Sequence, residues 1–461
     1  MNWIAPETNA RRTPSCGLIF ICSCFIFFSS ITVSPATEPF PLYPCIKANV
    51  KFWEDIYGRY SSQQGVLHDS DDLGRVYSVV DLVGWDTPGS AKINNERIKA
   101  AKSRINDILS DLGSGKVPVS KEEKQIAALF PQQRHTTYHE ARENIRLQIG
   151  QKDRFLEGLI RSGKYLGHFR KFFASQGLPT ELAYLPHVES SFNPKAYSKV
   201  GAAGLWQFTR STGKDYLTIN EYVDERYDPY LATQAAAELL KENYSQLKSW
   251  PLALTAYNYG RAGMVRAVNE MGSYENIFRS YSQGYFKFAS RNFYSEFVAA
   301  MRVAKRLGGN PAVPFESPEA TVTFRLKEDL PTARLRSTFR ISPQNFARLN
   351  PALMQPVLDG EKSVPKGYLV RLPATKQVTT QLALVKTQKE NPNQVINPQK
   401  SAKSSKANVR YTVRKGDTLS SIAQQFQLST QELLAANSRN RQTAIRIGEE
   451  LIVPTPTSKT L

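Results

Sequence analysis

Apolar positions recur at helical spacing through residues 145–310. Leu182, Leu185 and Val188 are three residues apart, so one face of this segment is expected to point into a core. A convincing alternation of apolar and polar residues, which would predict a strand, does not occur in this region. Residues 145–310 therefore predict an all-α globular domain, with Glu189 at the polar end of one of its helices.

A more polar helical region precedes this domain. Within residues 45–144, the side chains of Ile93, Ile98, Ile105 and Ile108 form one stripe along a predicted helix. We interpret the region as an accessory helical layer, because its residues form no motif that we can connect to chemistry.

The C-terminal third of the chain changes from helical spacing to alternation. Residues 320–373 begin with a half-buried strand pattern, continue with a short helix and end in the strand YLVRLP. Residues 374–408 are rich in Asn, Gln, Lys, Ser and Pro, which predicts a flexible basic linker. Residues 409–455 predict a compact βααβ unit, and residues 320–373 repeat that order in a degenerate form.

The composition is that of a globular protein with a large excess of positive charge. Of the 461 residues, 41% are hydrophobic and 11% are aromatic, so the chain can bury a large core. The formal net charge is +19. Such a surplus favours a polyanionic partner, and nucleic acid, an anionic membrane and a negatively charged wall polymer all fit it.

Residues 1–36 have the features of an export signal. Arg11 and Arg12 precede an apolar stretch, and the small residues Ser34 and Ala36 follow it at a potential cleavage point. A cleaved signal peptide, an uncleaved helical anchor and a lipid-modified cysteine are all open interpretations. A single cysteine would remain after cleavage, so no internal disulfide is expected.

Candidate chemistry lies in four stretches of the predicted helical domain. Glu189 lies in AYLPHVESSFNP, where an apolar helix ends in a single carboxyl group. Gln207 lies in GAAGLWQFT, Tyr257 and Asn258 in PLALTAYNYG, and Tyr294 in SRNFYSEF. Aromatic rings stack on sugar faces, amides bind hydroxyl and N-acetyl groups, and a carboxylic acid can protonate a glycosidic oxygen. The four stretches therefore favour a carbohydrate groove.

In this order, these motifs resemble the soluble lytic transglycosylase (SLT, goose-lysozyme-like) family, and most closely its membrane-bound murein transglycosylase D branch. The matching stretches are ELAYLPHVESSFNPKAYSKVGAAGLWQFT, DERYDPYLATQAAAELL, WPLALTAYNYG and NFYSEF, and the resemblance extends from about residue 145 to 307. The stretch YTVRKGDTLSSIAQQF resembles a LysM module. The resemblance implies a mainly α, lysozyme-like catalytic domain followed by small α+β modules of the LysM type.

The resemblance also implies a reaction on peptidoglycan without metal or cofactor. Glu189 would protonate the glycosidic oxygen that follows N-acetylmuramic acid, then take a proton from the 6-hydroxyl of that sugar as a 1,6-anhydro ring closes. An apolar setting would raise the pKa of Glu189 and keep it neutral at rest. The implied substrate-binding residues are Ser190, Gln207, Tyr257, Asn258 and Tyr294, and the implied glycan-binding residues of the LysM module are Gly416, Asp417 and Thr418.

Several of these residues have a structural alternative. Ser190 fits a helix-end cap, Tyr257 a helix-end anchor and Trp206 a core side chain. Asp417 and Thr418 fit a plain helix N-cap.

Other functions are weaker interpretations of the same sequence. His135 and His139 are spaced for zinc, but their motif lacks the glutamate of a zincin, so we expect surface histidines. A non-catalytic peptidoglycan-binding scaffold and a goose-lysozyme-like hydrolase are the alternatives to a lytic transglycosylase. We expect an exported protein of a Gram-negative periplasm or envelope membrane, with glycan strands rather than nucleic acid as its partner.

Overall fold

The computed structural model describes residues 38–132, 134–390, 408–414, 416–426, 428, 430–437 and 445–454, apart from the side chains of residues 384–390, 408, 409, 431 and 454. The predicted export segment, residues 1–36, lies outside the described residues. Among the helices of the described part, none combines the length and the apolar composition needed to cross a membrane.

The N-terminal region combines helices with a three-stranded antiparallel sheet of order β2-β1-β3. Its elements are a 3-10 helix (Pro44–Ile46), α1 (Lys47–Gly58), β1 (Gln64–Asp69), β2 (Val76–Asp81), α2 (Ser90–Gly113), α3 (Lys121–Ala128), α4 (His135–Glu143) and β3 (Ile145–Ile149). The four isoleucines of the predicted stripe all lie on α2, where Ile105 and Ile108 are buried and Ile98 is half-buried, but Ile93 is 38% exposed and does not join the buried face. The sheet was not predicted, because five of the six residues of β1 are buried and the strand does not alternate.

The next region is helical, in agreement with the prediction for residues 145–310 apart from β3. Its helices are α5 (Lys152–Ser162), α6 (Leu166–Ser175), α7 (Pro186–Glu189), α8 (Arg210–Lys214), α9 (Pro229–Leu247), α10 (Trp250–Tyr259), α11 (Arg261–Met271), α12 (Tyr274–Ser280) and α13 (Phe288–Gly308), with 3-10 helices at Thr180–Tyr184 and Glu225–Tyr227. The long α13 is central: it packs against α1, α10 and α7. Helix α1 therefore shares one core with the helical domain, whereas α2, α3 and α4 bury a separate hydrophobic cluster.

Two small units follow, each with two antiparallel strands that enclose helices. The first contains β4 (Thr321–Arg325), α14 (Thr332–Phe339), α15 (Pro343–Leu349), α16 (Gln355–Leu358) and β5 (Leu369–Pro373), and the second contains β6 (Asn408–Thr412), α18 (Leu419–Gln425), α19 (Thr430–Ala436) and β7 (Glu450–Pro454). The first unit is docked on the helical domain, since the backbone N–H of Asp224 donates to the carbonyl of Ala352 at 2.8 Å.

The segment between the two units differs from the flexible linker predicted for residues 374–408. It begins as a helix, α17 (Lys376–Glu390), whose residue Val378 is buried in the core of the first unit. The sequence QLALVK within it consists mostly of good helix formers, which the overall polar composition concealed. Residues 391–407 lie outside the described residues.

Candidate active site

Glu189 is the last residue of α7, a helix of only one turn. The sequence predicted a longer apolar helix, but the residues before α7 form the 3-10 helix Thr180–Tyr184, and Pro186 begins a separate helix. The apolar face is as predicted, because Leu182 and Leu185 are fully buried. Glu189 itself is half-buried at the edge of this face.

Left-handed backbone conformations flank Glu189. Ser191 and Phe192 have φ angles of 49° and 53°, and Gln207 in the neighbouring segment has a φ of 48°. Such conformations are costly for residues other than glycine and cluster at functional sites, where the surrounding structure enforces them. Here the enforcement is visible, since Arg161 donates from Nη2 to the carbonyl oxygen of Ser191 at 2.8 Å.

The environment of Glu189 favours its neutral form. Burial raises its pKa to about 8, and the nearby carboxyl group of Glu296 contributes to the same shift. The direction agrees with the prediction from the apolar helix end. A carboxylic acid with this pKa is mostly protonated at neutral pH and can act as a general acid.

Glu296 is a second half-buried carboxyl group, and the sequence interpretation missed it. It lies on α13, and burial raises its pKa to about 8 against the opposing influence of the Arg146 guanidinium. A signal was present in the sequence: Glu296 lies on the apolar stripe of α13, with Asn292 four residues before it and Ala300 four residues after it, both fully buried. A glutamate in such a stripe is unusual unless its carboxyl group is paired.

Two tyrosines from different helices complete the environment of the acids. Tyr57 of α1 is 3% exposed, and burial raises its pKa well above 10, with further contributions from Glu296 and Glu189. The pKa of Tyr257 on α10 is likewise raised by burial and then by Glu189. Tyr57 belongs to the region that the sequence connected to no chemistry, so that interpretation was incomplete.

Three of the predicted substrate-binding residues hold one backbone segment beside Glu189. Their hydrogen bonds run from Ser190 Oγ to Leu205 O (2.8 Å), from Gln207 Nε2 to Gly204 O (2.9 Å) and from the Tyr257 hydroxyl to Trp206 O (2.8 Å). The segment is thereby fixed between α7 and α10. The side chain of Trp206 is fully buried and donates to Thr233 Oγ1 at 2.8 Å, so it is a core residue.

The same segment requires glycine at residue 204. Gly204 has a φ of 75°, and a Cβ atom there would lie 1.8 Å from the carbonyl oxygen of Arg226. Arg226 in turn forms a buried ion pair with Asp224 at 2.7 Å. Its Nη1 donates to the carbonyl oxygens of Gly201 and Phe208, which closes the loop GAAGLWQF at both ends.

The remaining predicted residues of this site have different surroundings. Asn258 accepts a hydrogen bond at Oδ1 from Ser290 Oγ at 2.7 Å. Tyr294 is fully buried, and its hydroxyl donates to Pro41 O at 2.9 Å. Residues two apart on a helix point to different sides, and Glu296 is the one that interacts with Glu189. These contacts favour a structural role for Tyr294.

The predicted glycan-binding residues of the second unit form local turns. Gly416 has a φ of 94°, and Asp417 accepts hydrogen bonds from the Tyr411 hydroxyl and the Arg414 backbone N–H, both at 2.8 Å. Thr418 is the N-cap of α18 and accepts from the Ser421 backbone N–H. Thr418 therefore has the predicted helix-cap role, whereas Asp417 stabilises the turn that precedes the helix.

Metal-ligating side chains do not gather anywhere in the described part of the chain: no group of three or more could hold an ion there. His135, the first histidine of the candidate zinc pair, lies 2.7 Å through Nδ1 from the carbonyl oxygen of Gly113.

Comparison with protein families identifies two domains. Residues 173–277 match the transglycosylase SLT domain, which contains Glu189, Gln207 and Asn258, and residues 411–454 match the LysM domain. The chain therefore contains an SLT domain and a LysM domain, and the resemblance found from its motifs is confirmed.

Comparison with individual proteins gives more specific similarities than the two domain matches. The chain is 27% identical over 325 residues to membrane-bound lytic murein transglycosylase D of Escherichia coli K12, covering 68% of each protein. It is 32% identical over 118 residues to a putative tributyltin chloride resistance protein of Alteromonas sp. M-1, covering 25% of this chain and 57% of that one. A solved lytic transglycosylase Slt of Pseudomonas aeruginosa matches with a TM-score of 0.27 at 14% identity, over 42% of this chain and 28% of that one.

Proposed function

We propose that the protein is a peptidoglycan lytic transglycosylase in which Glu189 acts first as acid and then as base. The observation that supports this most directly is the half-buried carboxyl group of Glu189, whose pKa is raised to about 8, inside the matched SLT domain. A group that is neutral at rest can donate a proton at pH 7, and the carboxylate that remains can accept one.

The reaction needs no external co-reactant. Glu189 transfers its proton to the glycosidic oxygen between N-acetylmuramic acid and N-acetylglucosamine, and the bond from C1 of the muramic residue to that oxygen breaks. The N-acetyl group of the muramic residue supports the positive centre at C1. The 6-hydroxyl of the same residue then attacks C1, its proton passes to Glu189, and the 1,6-anhydro product leaves the enzyme in its starting state.

The other site residues position the backbone beside Glu189 and bind the substrate. Ser190, Gln207 and Tyr257 fix the backbone of residues 204–206 beside the acid, so that sugar rings meet a rigid wall. Asn258 lies at the end of α10 next to Tyr257, and we assign its amide group to a substrate hydroxyl or N-acetyl group. The LysM domain binds the same glycan strands and raises their local concentration.

We further propose an envelope location. A relative at 27% identity is named a membrane-bound murein enzyme, and residues 1–36 have the pattern of an export signal or anchor. The net charge of +19 favours binding to anionic wall and membrane surfaces.

A second candidate is a hydrolase of the goose-lysozyme type, and Glu296 is the observation that favours it. Glycoside hydrolases commonly use two carboxyl groups, one of which activates water or forms a covalent intermediate. Glu296 is a second half-buried carboxyl group within electrostatic reach of Glu189.

The test is mass spectrometry of muropeptides that the protein releases from purified sacculi. Wild type is compared with Glu189→Gln and with the control Glu181→Gln, whose carboxylate forms a surface ion pair with Lys305 at 3.1 Å. We expect anhydromuramyl products from wild type and the control and none from Glu189→Gln. Products with reducing ends would establish the hydrolase, and a wild type that binds sacculi without releasing anything would establish a scaffold.

A further inference from the structure

A cavity lies between the helical domain and the first of the two small units. Its volume is about 460 Å³, within the range of small-ligand sites in proteins. The start of α9 and the loops that follow α5 and α7 line one side, and residues of β4, α15 and β5 line the other. None of the residues assigned to the candidate active site lines this cavity, so it is a separate feature of the described part of the chain.

Arg371 of β5 brings a largely buried positive charge to this cavity. Its side chain is 12% exposed, and its Nη2 lies 3.5 Å from Oδ2 of Asp228. Its guanidinium carbon lies 4.1 Å from the centroid of the Tyr230 ring. Among the described residues, no acceptor receives a hydrogen bond from this guanidinium group. Because a guanidinium group carries five N–H donors, Arg371 can bind an oxygen atom of a ligand that enters the cavity.

The surroundings of Arg371 fix its position. Asn350, which is 1% exposed, accepts at Oδ1 from the backbone N–H of Arg371 at 2.8 Å and donates from Nδ2 to the carbonyl oxygen of Arg371 at 2.9 Å. Asp228 is also fixed, because its Oδ1 accepts from the backbone N–H groups of Tyr230 and Leu231 at the start of α9. A site that is ordered before the ligand arrives loses less entropy on binding.

The lining of the cavity combines positive charge with apolar surface. Its basic side chains outnumber its acidic side chains by two: they are Lys164, Lys195, Arg348 and Arg371 against Asp228 and Glu319. Arg348 donates two hydrogen bonds to Glu319, whereas Lys195 is exposed and has no ion-pair partner in the described part of the chain. Tyr165 and Leu349 contribute buried apolar surface. This combination fits a carboxylate group attached to a small apolar body.

The loop that leaves Glu189 leads to this cavity. Lys195 is six residues after Glu189, so their Cα atoms are at most roughly 22 Å apart. In peptidoglycan, N-acetylmuramic acid carries a short peptide stem with free carboxylate groups and alkyl side chains. An extended stem of four or five residues spans about 15 Å. A stem on a strand bound at Glu189 is therefore long enough to approach the cavity.

We propose that the cavity binds the peptide stem of the glycan strand, with a stem carboxylate on the guanidinium group of Arg371 and alkyl side chains against Tyr165 and Leu349. This inference rests on the proposed function, because it takes peptidoglycan as the ligand. Hydrogen bonds between guanidinium and carboxylate are charge-assisted and often two-point, so Arg371 provides the main specificity. The first small unit then takes part in substrate recognition, since Arg371 belongs to it.

The experiment is isothermal titration calorimetry with full-length protein that carries Glu189→Gln, so that ligands bind without turnover. The two ligands are the disaccharide of N-acetylglucosamine and N-acetylmuramic acid with its tetrapeptide stem and the same disaccharide without peptide. We expect Arg371→Gln to weaken binding of the peptide-bearing disaccharide by about tenfold or more. Binding of the peptide-free disaccharide should not change, because its contacts lie elsewhere.

Two further variants test the role of positive charge. Lys195→Gln alters an exposed side chain, so it is expected to fold even if Arg371→Gln does not, and to weaken binding of the peptide-bearing disaccharide alone by about threefold. Arg371→Lys keeps the charge without the two-point geometry and should recover part of the affinity. The matched control is Arg325→Gln, which alters an exposed arginine of β4 that donates to the carbonyl oxygen of Gly367 and does not line the cavity.

The possible results separate this proposal from the function on which it rests. If the folded Arg371 and Lys195 variants bind the peptide-bearing disaccharide with unchanged affinity, or lose affinity for both disaccharides equally, the stem site is overturned. The free tetrapeptide is the third ligand: if it alone depends on Arg371, the cavity takes released peptides and the proposal is also overturned. If wild type releases no anhydromuramyl product, the proposed function fails, whereas the binding comparison needs no turnover.

Discussion

Glu189 and Asp417 are both acids next to a helix terminus, but their surroundings give them opposite properties. Glu189 is half-buried among side chains from four helices, and burial raises its pKa to about 8. Asp417 lies on the surface of the LysM domain, where hydrogen bonds from the Arg414 backbone and the Tyr411 hydroxyl lower its pKa. Burial therefore favours the protonated form of Glu189, whereas the hydrogen bonds that Asp417 accepts favour its ionised form.

The two surroundings also differ in how they are constructed. The partners of Asp417 are within six residues of it in the sequence, so its turn is a local structure. The partners of Glu189 come from α1, α10 and α13, up to 132 residues away. A site assembled from distant parts of the chain depends on the whole fold. Substitutions in the elements that surround Glu189 should therefore reduce stability or activity more than equivalent substitutions in the LysM domain.

The largest difference is expected for glycines at positive φ. Gly204→Ala places Cβ 1.8 Å from Arg226 O, so the backbone beside the site must move and lytic activity should be lost. Gly416→Ala meets no atom within 4 Å and carries only the backbone cost of about 1–2 kcal/mol. Thermal unfolding and turnover of both variants check this expectation. Equal effects would show that the close approach at Gly204 is relieved at little cost.

Ion pairs give the next largest difference. Asp224→Asn breaks the buried pair with Arg226 and is expected to destabilise the SLT domain by roughly 3–5 kcal/mol. Glu450→Gln removes an exposed pair with Arg410 in the LysM domain and should cost at most about 1 kcal/mol. Urea unfolding followed by circular dichroism measures both. A cost below about 1 kcal/mol for Asp224→Asn would contradict the role given to this pair.

The two acids should also respond differently to pH. Glu189 works as an acid while it is protonated, so turnover should fall as pH rises through about 8. Asp417 has a lowered pKa and stays ionised, so glycan binding by the LysM domain should not change between pH 6 and 9. Turnover is measured with wild type, and binding is measured with the Glu189→Gln variant. A parallel loss of binding and turnover above pH 8 would contradict this separation.

The smallest effect concerns a single helix cap. Thr418→Ala removes the N-cap of α18 and should destabilise this helix by about 1 kcal/mol. Hydrogen exchange of the α18 amides in the full-length protein should then become about fivefold faster. Ser342→Ala removes the equivalent N-cap of α15 and is the matched control. If only glycan binding changes and exchange does not, the threonine acts on the ligand rather than on the helix.

Several features could be predicted from the sequence because they depend on neighbouring residues. The helical position of the isoleucine stripe on α2 and the strand–helix–helix–strand order of the LysM domain both follow from local spacing and turn chemistry. The apolar face that ends at Glu189 belongs to the same group, and the direction of its pKa shift followed from it. The motif order was sufficient to identify the SLT and LysM domains.

Other features were decided by tertiary structure alone. Tyr57 and Glu296 come from separate elements, and no pattern within one segment shows that they lie near Glu189. The side of α13 that faces the acid was also undetermined, so the sequence indicated Tyr294 and did not indicate Glu296. A sequence fixes which residues share a helix face, but the electrostatic field at a buried acid is a sum over charges that only packing brings together.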